Sequence, residues 1–264
     1  MSQDPVFYKY MDERGIDLLK NLRLLANPPS QLNDPFECAP LLNFDTDPDR
    51  IYEILKSDCF AYLQAARKLK RSKPLRAIVA DIKQRAPTIL VGARQSLIER
   101  INNYRIVCLS LRRDGILLWA HYTRGHFGFV VGLKGFALGG RADTAVLEVR
   151  YSAERPSIGN IIELDPAKFT DPLLESFRTK SEEWQYEEEV RIIGPSEAFT
   201  TFVGKSYLSL DPAVIDCVII GSRCPQNLCN EIDDTLRSNP DLRHVRKLRA
   251  NVEADRFAIT IADG

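Results

Sequence analysis

Residues 106–133 read IVCLSLRRDGILLWAHYTRGHFGFVVGL, and the fold turns on how this stretch divides. Ile106–Leu111 is a β-branched and apolar run of strand length, and Arg112, Arg113, Asp114 and Gly115 break it. Asp114 is placed to cap the next segment by accepting from its free N–H groups. Ile116, Trp119, Ala120 and Thr123 then fall at helical spacing. Gly125 suits a helix end, and His126–Leu133 resumes as a second strand with glycines at 128 and 132. Strand, helix and strand share this short stretch, with Trp119, His121, Tyr122, Arg124 and His126 packed together. Two of the three histidines and one of the two tryptophans fall here, which marks the stretch for function as well as packing.

Toward the N-terminus, Val6–Tyr10 reads as a strand, Ile16–Leu22 as a short helix and Arg23–Ala26 as a strand ended by Asn27-Pro28-Pro29. Asn33 and Asp34 before Pro35 make a turn, because the residue before proline is pushed out of the helical region. That turn sets Asp34 and Glu37 close together. Residues 47–104 change character. Three apolar sets recur at helical spacing, from Ile51 to Leu63, from Leu75 to Ile82 and from Leu90 to Tyr104, which predicts a helical insertion. Its first two helices flank a basic run with Arg67, Lys68, Lys70, Arg71, Lys73 and Arg76. Such runs are usually solvated surface, and phosphate contact is the sharper alternative.

Toward the C-terminus, Ala145–Tyr151 and Ile161–Leu164 read as strands and Asp171–Lys180 as a helix with Pro172 in its first turn. If Tyr186–Ile193 is a strand, Glu187, Glu189 and Arg191 line one face. Ser206–Leu210 and Val214–Ile220 follow as strands, Pro225–Leu236 as a helix, and His244–Leu248 and Arg256–Ile261 as closing strands. Strands in runs, with helices gathered in one insertion, predict an α+β fold. Its sheet is mixed and largely antiparallel, in a single domain over 1–264 that carries the insertion at 47–104.

Acids and bases balance at 36 each, so no global field points to nucleic acid or membrane. No apolar run approaches the roughly 20 residues of a membrane span. The first residues lack a signal peptide's basic start and apolar core. With six cysteines and no CxxC pair, the expected compartment is the reducing cytoplasm. GxxxxGK[ST], GxGxxG after a strand, HExxH and GxSxG are all missing from the sequence. His121 and His126 lack acids at metal-site spacing, so no metal is expected.

What remains is a dispersed constellation: Tyr8-Lys9-Tyr10, Asn33–Glu37, Trp119-x-His121-Tyr122, and Lys180 with Trp184, Tyr186, Glu187, Glu189 and Arg191. Taken singly, each residue reads equally well as core, turn or solvated edge. Taken together, aromatic, acidic and basic groups recur at strand ends and turns, where clefts form.

On the Lys9-Tyr10 pair, the NDPFE turn, the W-x-HY helix with Gly128 and the W-x-YE-x-E-x-R segment, the chain resembles a large bacterial family of domains of unknown function. The closing VIIGSRCPQNLCNEIDDTL, residues 218–236, fits the same family. Its layout is in turn similar to ADP-ribosyltransferases of the toxin and DNA-modifying kind. That resemblance implies NAD as the substrate. Lys9 or Tyr10 stands where those enzymes use a first-strand Arg or His, with Asn33 and Asp34 also on the NAD side. Ser110 or Tyr122 supplies the central hydroxyl, with His121 beside it, and Glu187-x-Glu189 is the late acidic pair. The implied chemistry is loss of nicotinamide through an oxocarbenium-like state, stabilised by a carboxylate near the ribose. Tyr122 or Trp119 would stack on nicotinamide. Trp184, Tyr186 and Arg191 would shape the acceptor side, and the basic run 67–76 would dock a protein or nucleic-acid acceptor.

This reading makes the chain an NAD-cleaving enzyme, a toxin or phage-defence effector. Two others compete with it. One is a non-catalytic module that senses a nucleotide or a phage component. The other is a nuclease or hydrolase using Asp34, Glu37, Glu187 and Glu189 with a divalent metal.

Overall fold

The computed structural model describes residues 5–43, 47, 49, 75–135, 138, 143–160 and 170–263. In chain order, β1 (Val6–Met11), α1 (Ile16–Asn21) and β2 (Arg23–Ala26) lead to β3 (Leu41–Asn43) and the long α2 (Leu75–Asn102). β4 (Tyr104–Ser110), α3 (Ile116–Tyr122) and β5 (Phe129–Lys134) form the central segment. β6 (Ala145–Glu148), β7 (Arg150–Ser152), β8 (Ser157–Asn160), α4 (Thr170–Arg178) and β9 (Thr179–Ser181) come next. The chain then runs through β10 (Glu189–Pro195), β11 (Thr200–Phe202), β12 (Lys205–Ser209), β13 (Ile215–Ile220), α5 (Gln226–Ser238), β14 (Arg246–Val252) and β15 (Ile259–Asp263).

These elements divide into two compact units. The first is built from Met1–Gln31, Tyr104–Val149 and Glu183–Gly264. It holds an eight-stranded sheet in the order β15-β14-β13-β5-β1-β4-β10-β6, and a smaller sheet β11-β12-β2. In the large sheet only β13 and β14 run parallel, joined through α5. The architecture is therefore α+β with a mixed, largely antiparallel sheet. β5 is apolar along almost its whole length because both of its faces are covered. Val131 and Leu133 join Phe7, Val107, Leu109, Val190 and Val218 under Leu18 and Leu19 of α1 and Leu228 and Ile232 of α5. On the opposite side, Val130 meets Tyr10, Ile219, Leu248 and the buried Leu118 and Trp119 of α3. Gly128, just before β5, admits no side chain: a Cβ there would stand 2.0 Å from the Met11 carbonyl oxygen.

The second unit, Leu32–Asn103 and Arg150–Glu182, contains the parallel pairs β3–β8 and β7–β9. Of the insertion expected at 47–104, residues 47–103 fall in this unit, together with the NDPFE turn and residues 150–182, while Tyr104 falls in the first. Within it, the two helices read from Leu75 and from Leu90 are one continuous helix, α2, which carries Pro87 in its interior. Tyr104, read as the last residue of that helical set, opens β4. The helix expected from Ile51 and the strand expected at Ile161–Leu164 fall outside the described residues.

Other boundaries moved for local reasons. Asp114 does not cap α3: Gly115 occupies the N-cap position without a side-chain bond, and the Asp114 carboxylate takes the Arg112 guanidinium at 3.3 Å. His126–Gly128 is not strand, because Arg124, Gly125 and His126 are all left-handed, with φ of 52°, 70° and 73°. The expected strand 145–151 is two, β6 pairing with β10 and β7 with β9. The strand expected from Tyr186 starts only at Glu189, since Glu182–Glu187 is a 3-10 helix and Glu188 is left-handed at φ 43°. No described helix is long and apolar enough to cross a membrane.

Candidate functional site

β1 lies between β5 and β4, and its two edges are used unequally. Against β5 it is paired along its full length, Val6 to Met11; against β4 it is paired only at Tyr8 and Ser110. Farther along β4, Ile106 instead exchanges two backbone hydrogen bonds of 3.0 and 2.9 Å with Asn27, the residue that follows β2. β1 and β2 thus meet β4 on either side of Cys108, and a wedge opens between them. Lys9 closes its floor, because the ammonium donates to the Cys108 carbonyl at 2.9 Å where the ladder to β1 stops. The resulting cleft, of about 500 Å³, is lined by Lys9, Tyr10, Asn27, Tyr122, Lys205 and Tyr207 among others. That volume lies within the range of small-molecule sites.

A polar centre is built on the β4 side. In the β4–β10 ladder Glu189 stands opposite Ser110 and Arg191 opposite Cys108. Arg191 is fully buried, and its Nε and Nη2 donate to the two oxygens of Glu189 at 2.7 and 3.0 Å. This bidentate fork fixes the carboxylate's plane as well as its charge. Burial, with the Glu189 carboxylate adding to it, pushes the Cys108 thiol well above its usual value. The Ser110 hydroxyl donates to the Glu187 carbonyl at 2.5 Å and accepts from the Arg112 N–H at 2.9 Å. Glu187 is buried, and its carboxylate accepts from the Tyr122 hydroxyl at 2.6 Å. A single strand would have put Glu187, Glu189 and Arg191 on one face. Instead the left-handed Glu188 is turned out to solvent, and both neighbouring glutamates are buried.

The cleft's rim belongs to residues that the sequence did not single out. Arg23 gives Asp17 two hydrogen bonds of 2.8 Å, and these hold the Asp17 carboxyl below its ordinary value. The Arg23 guanidinium also lies 4.1 Å from the ring centre of Tyr207 and 4.7 Å from that of Phe202, a two-sided cation–π contact. Arg14 pairs with Asp12 at 2.5 Å. No sequence pattern marked these residues, because they become neighbours only where Leu25 of β2 stands opposite Tyr207 of β12.

Lys9, Tyr10, Ser110, Tyr122, Glu187, Glu189 and Arg191 are thus brought together. Trp119 is close by but fully buried, its indole N–H donating to the Arg113 carbonyl at 3.0 Å and its ring stacked 5.9 Å from His126. It shapes Tyr10 and α3 from beneath and presents no face to a ligand. Arg191, for the same reason, holds Glu189 and does not reach an acceptor. Tyr10 reaches across to the Arg112 carbonyl at 2.9 Å, and burial pushes its hydroxyl well above the ordinary tyrosine value. His121 is exposed, 6.4 Å ring to ring from Tyr186, which is 6.0 Å from Trp184.

Asn33 and Asp34 belong to the second unit. There Asp34 is buried and accepts from the Phe36 N–H at 2.8 Å, which fixes the expected turn. Glu37 is also buried, and Lys180, on β9 and not in a helix, pairs with it at 3.3 Å. Of the basic run, Arg67, Lys68, Lys70, Arg71 and Lys73 lie outside the described residues, and Arg76 is exposed at the start of α2. Among the described residues no group of three or more His, Cys, Asp or Glu is arranged to hold a metal ion. Compared with protein-family models, curated proteins and solved structures, the chain finds no match in any of the three.

Proposed function

We propose that the β1/β2 cleft binds NAD and that the chain is an ADP-ribosyltransferase-like enzyme, breaking the bond between nicotinamide and ribose. One observation carries the reading: segments around residues 9, 110, 122 and 189 converge where β1 parts from β4, and they bring hydroxyls and two oriented carboxylates with them. In the reaction the C1′–N bond breaks, nicotinamide leaves with the electron pair, and a nucleophile from water or an acceptor adds to C1′ and gives up a proton. Tyr122 lines the cleft and carries Glu187 on its hydroxyl, so this pair faces the developing positive charge. Glu189 and Arg191 form a buried, charge-compensated pair behind it that holds the end of β10 in place. Preorganised charge like that of Glu187 needs no rearrangement as the transition state forms, which is where electrostatic catalysis gains most. The protein or nucleic-acid acceptor and the role of toxin or phage-defence effector belong to this proposal.

The test is nicotinamide release by the purified protein, beside Glu187→Gln and Glu189→Gln, with and without chelator and with cell lysate as acceptor. Release that needs either carboxylate and survives chelation supports the enzyme, and a labelled acceptor would identify its target. A complete lack of release in the presence of lysate removes the proposal. The burial of both glutamates, each 4% exposed, favours a second reading in which the cleft holds a nucleotide without cleaving it. NAD binding without turnover would select that reading.

A further inference from the structure

We infer that the cleft takes the ADP part of its ligand with the pyrophosphate on Lys205, and that Lys9 is a structural staple outside the phosphate contacts. The ADP site stands on the charges of the cleft itself; the direction assigned to a whole NAD molecule rests on the function proposed above. Four cations line this cleft: Lys9, Arg14, Arg23 and Lys205. Three of them are committed. Arg14 is paired with Asp12 and Arg23 with Asp17. The Lys9 ammonium is spent on the Cys108 carbonyl, and moving it would reopen the gap between β1 and β4. Lys205 is exposed and, among the described residues, is the one cleft-lining cation with neither a hydrogen bond nor an ion pair.

The hairpin that carries it is anchored. Lys205 stands opposite Phe202 across the two-residue turn Val203-Gly204, and Phe202 and Tyr207 together grip Arg23. The backbone that presents the ammonium is therefore held before any ligand arrives, which lowers the ordering cost of binding. Arg14 and Arg23 are neutralised by their carboxylates and Lys9 bonds only a neutral carbonyl, so the cleft keeps an excess positive charge. Lys205, whose charge also reaches the Asp17 carboxyl, is its exposed part and suits phosphate as a point-charge contact. Tyr10, Tyr122 and Tyr207 in the same lining favour a ligand that also carries a base and sugar over bare pyrophosphate. Tyr122, which holds Glu187, defines the reacting end, and a dinucleotide with its pyrophosphate on Lys205 directs its nicotinamide ribose there.

The experiment is titration calorimetry of the full chain with ADP, and separately with inorganic pyrophosphate, on wild type, Lys205→Glu, Lys205→Arg and Tyr122→Phe. ADP is expected to bind more tightly than pyrophosphate. Lys205→Glu should weaken ADP by about tenfold or more, the scale of one charged hydrogen bond, with Lys205→Arg staying close to wild type. Tyr122→Phe, which keeps the ring in the lining, should weaken ADP less than Lys205→Glu does. Unchanged affinity in Lys205→Glu, no ADP binding by wild type, or pyrophosphate binding as tightly as ADP overturns the inference. An equal loss in Tyr122→Phe overturns the orientation. ADP binding that follows Lys205 in a protein that never releases nicotinamide would sink the enzyme and leave this site standing.

Discussion

Replacing Arg191 by methionine removes a guanidinium with no exposed surface and leaves the Glu189 carboxylate, its side chain 3% exposed, without its bidentate partner. Breaking one side of a buried ion pair costs about 3–5 kcal/mol, because the stranded charge keeps its desolvation penalty and loses the attraction that offset it. For a chain of this size each kcal/mol moves Tm by about 2–4 °C, so Arg191→Met should melt roughly 6–20 °C below wild type. Urea unfolding should show the same loss as a lower midpoint with an unchanged slope. The paired change Glu189→Leu with Arg191→Met removes both charges at similar volume. It should recover at least half of the loss, since a buried ion pair contributes little net stability beyond what packed apolar groups give. On the function proposed above, nicotinamide release would not return with stability, because the carboxylate is gone. A single variant within about 1 kcal/mol of wild type would refute the reasoning. So would a double variant as unstable as the single one.

Gly128→Ala should destabilise by about 2–3 kcal/mol or more by urea unfolding, because the new methyl meets the rigid Met11 carbonyl. Val203 is 83% exposed and left-handed at φ 48°, next to Gly204 at 71°, in a two-residue hairpin that favours Asn-Gly. Val203→Asn should therefore raise stability by about 1 kcal/mol, read as a higher Tm. Burial, with Arg223 nearby, depresses the His126 pKa, so the folded state prefers the neutral ring. The stability that this gives is present above the unfolded value near 6.5 and is lost as pH falls through the lower folded value. Tm should drop on acidification below about pH 6.5. His126→Asn, which tolerates the left-handed backbone, should flatten that drop.

The residues that the sequence made legible are those whose local pattern and final environment agree. β5 reads as a buried strand because Phe129, Val130, Val131 and Leu133 are apolar whichever face they take. The turn at Asp34 is visible because its side chain bonds within its own turn. Asp114 failed as a cap because Arg112, two residues away, competes for the same oxygen. The acidic pair was legible in composition and hidden in geometry, since no pattern announces a left-handed Glu188. Arg23, Lys205 and Tyr207 could not be found at all from spacing. They become neighbours only when β2 pairs with β12, a contact between opposite ends of the chain. Lys180 was grouped with the late acidic segment, yet its partner, Glu37, comes from the NDPFE turn.

The wedge between β1 and β2 also fixes when the cleft can exist. Tyr8 must wait for Ser110, and Leu25 for Tyr207, 182 residues later. Contacts of such separation fold slowly, because the loop must close before the contact stabilises anything. At synthesis rates of about 5–20 residues per second, roughly 10–40 s pass between those two residues leaving the ribosome. During that interval β1 and β4 can already meet, but the side of the wedge that carries Lys205 has not been made. The cleft is therefore closed only after Tyr207 has left the ribosome and β12 can pair with β2, however early β1 and β4 have met.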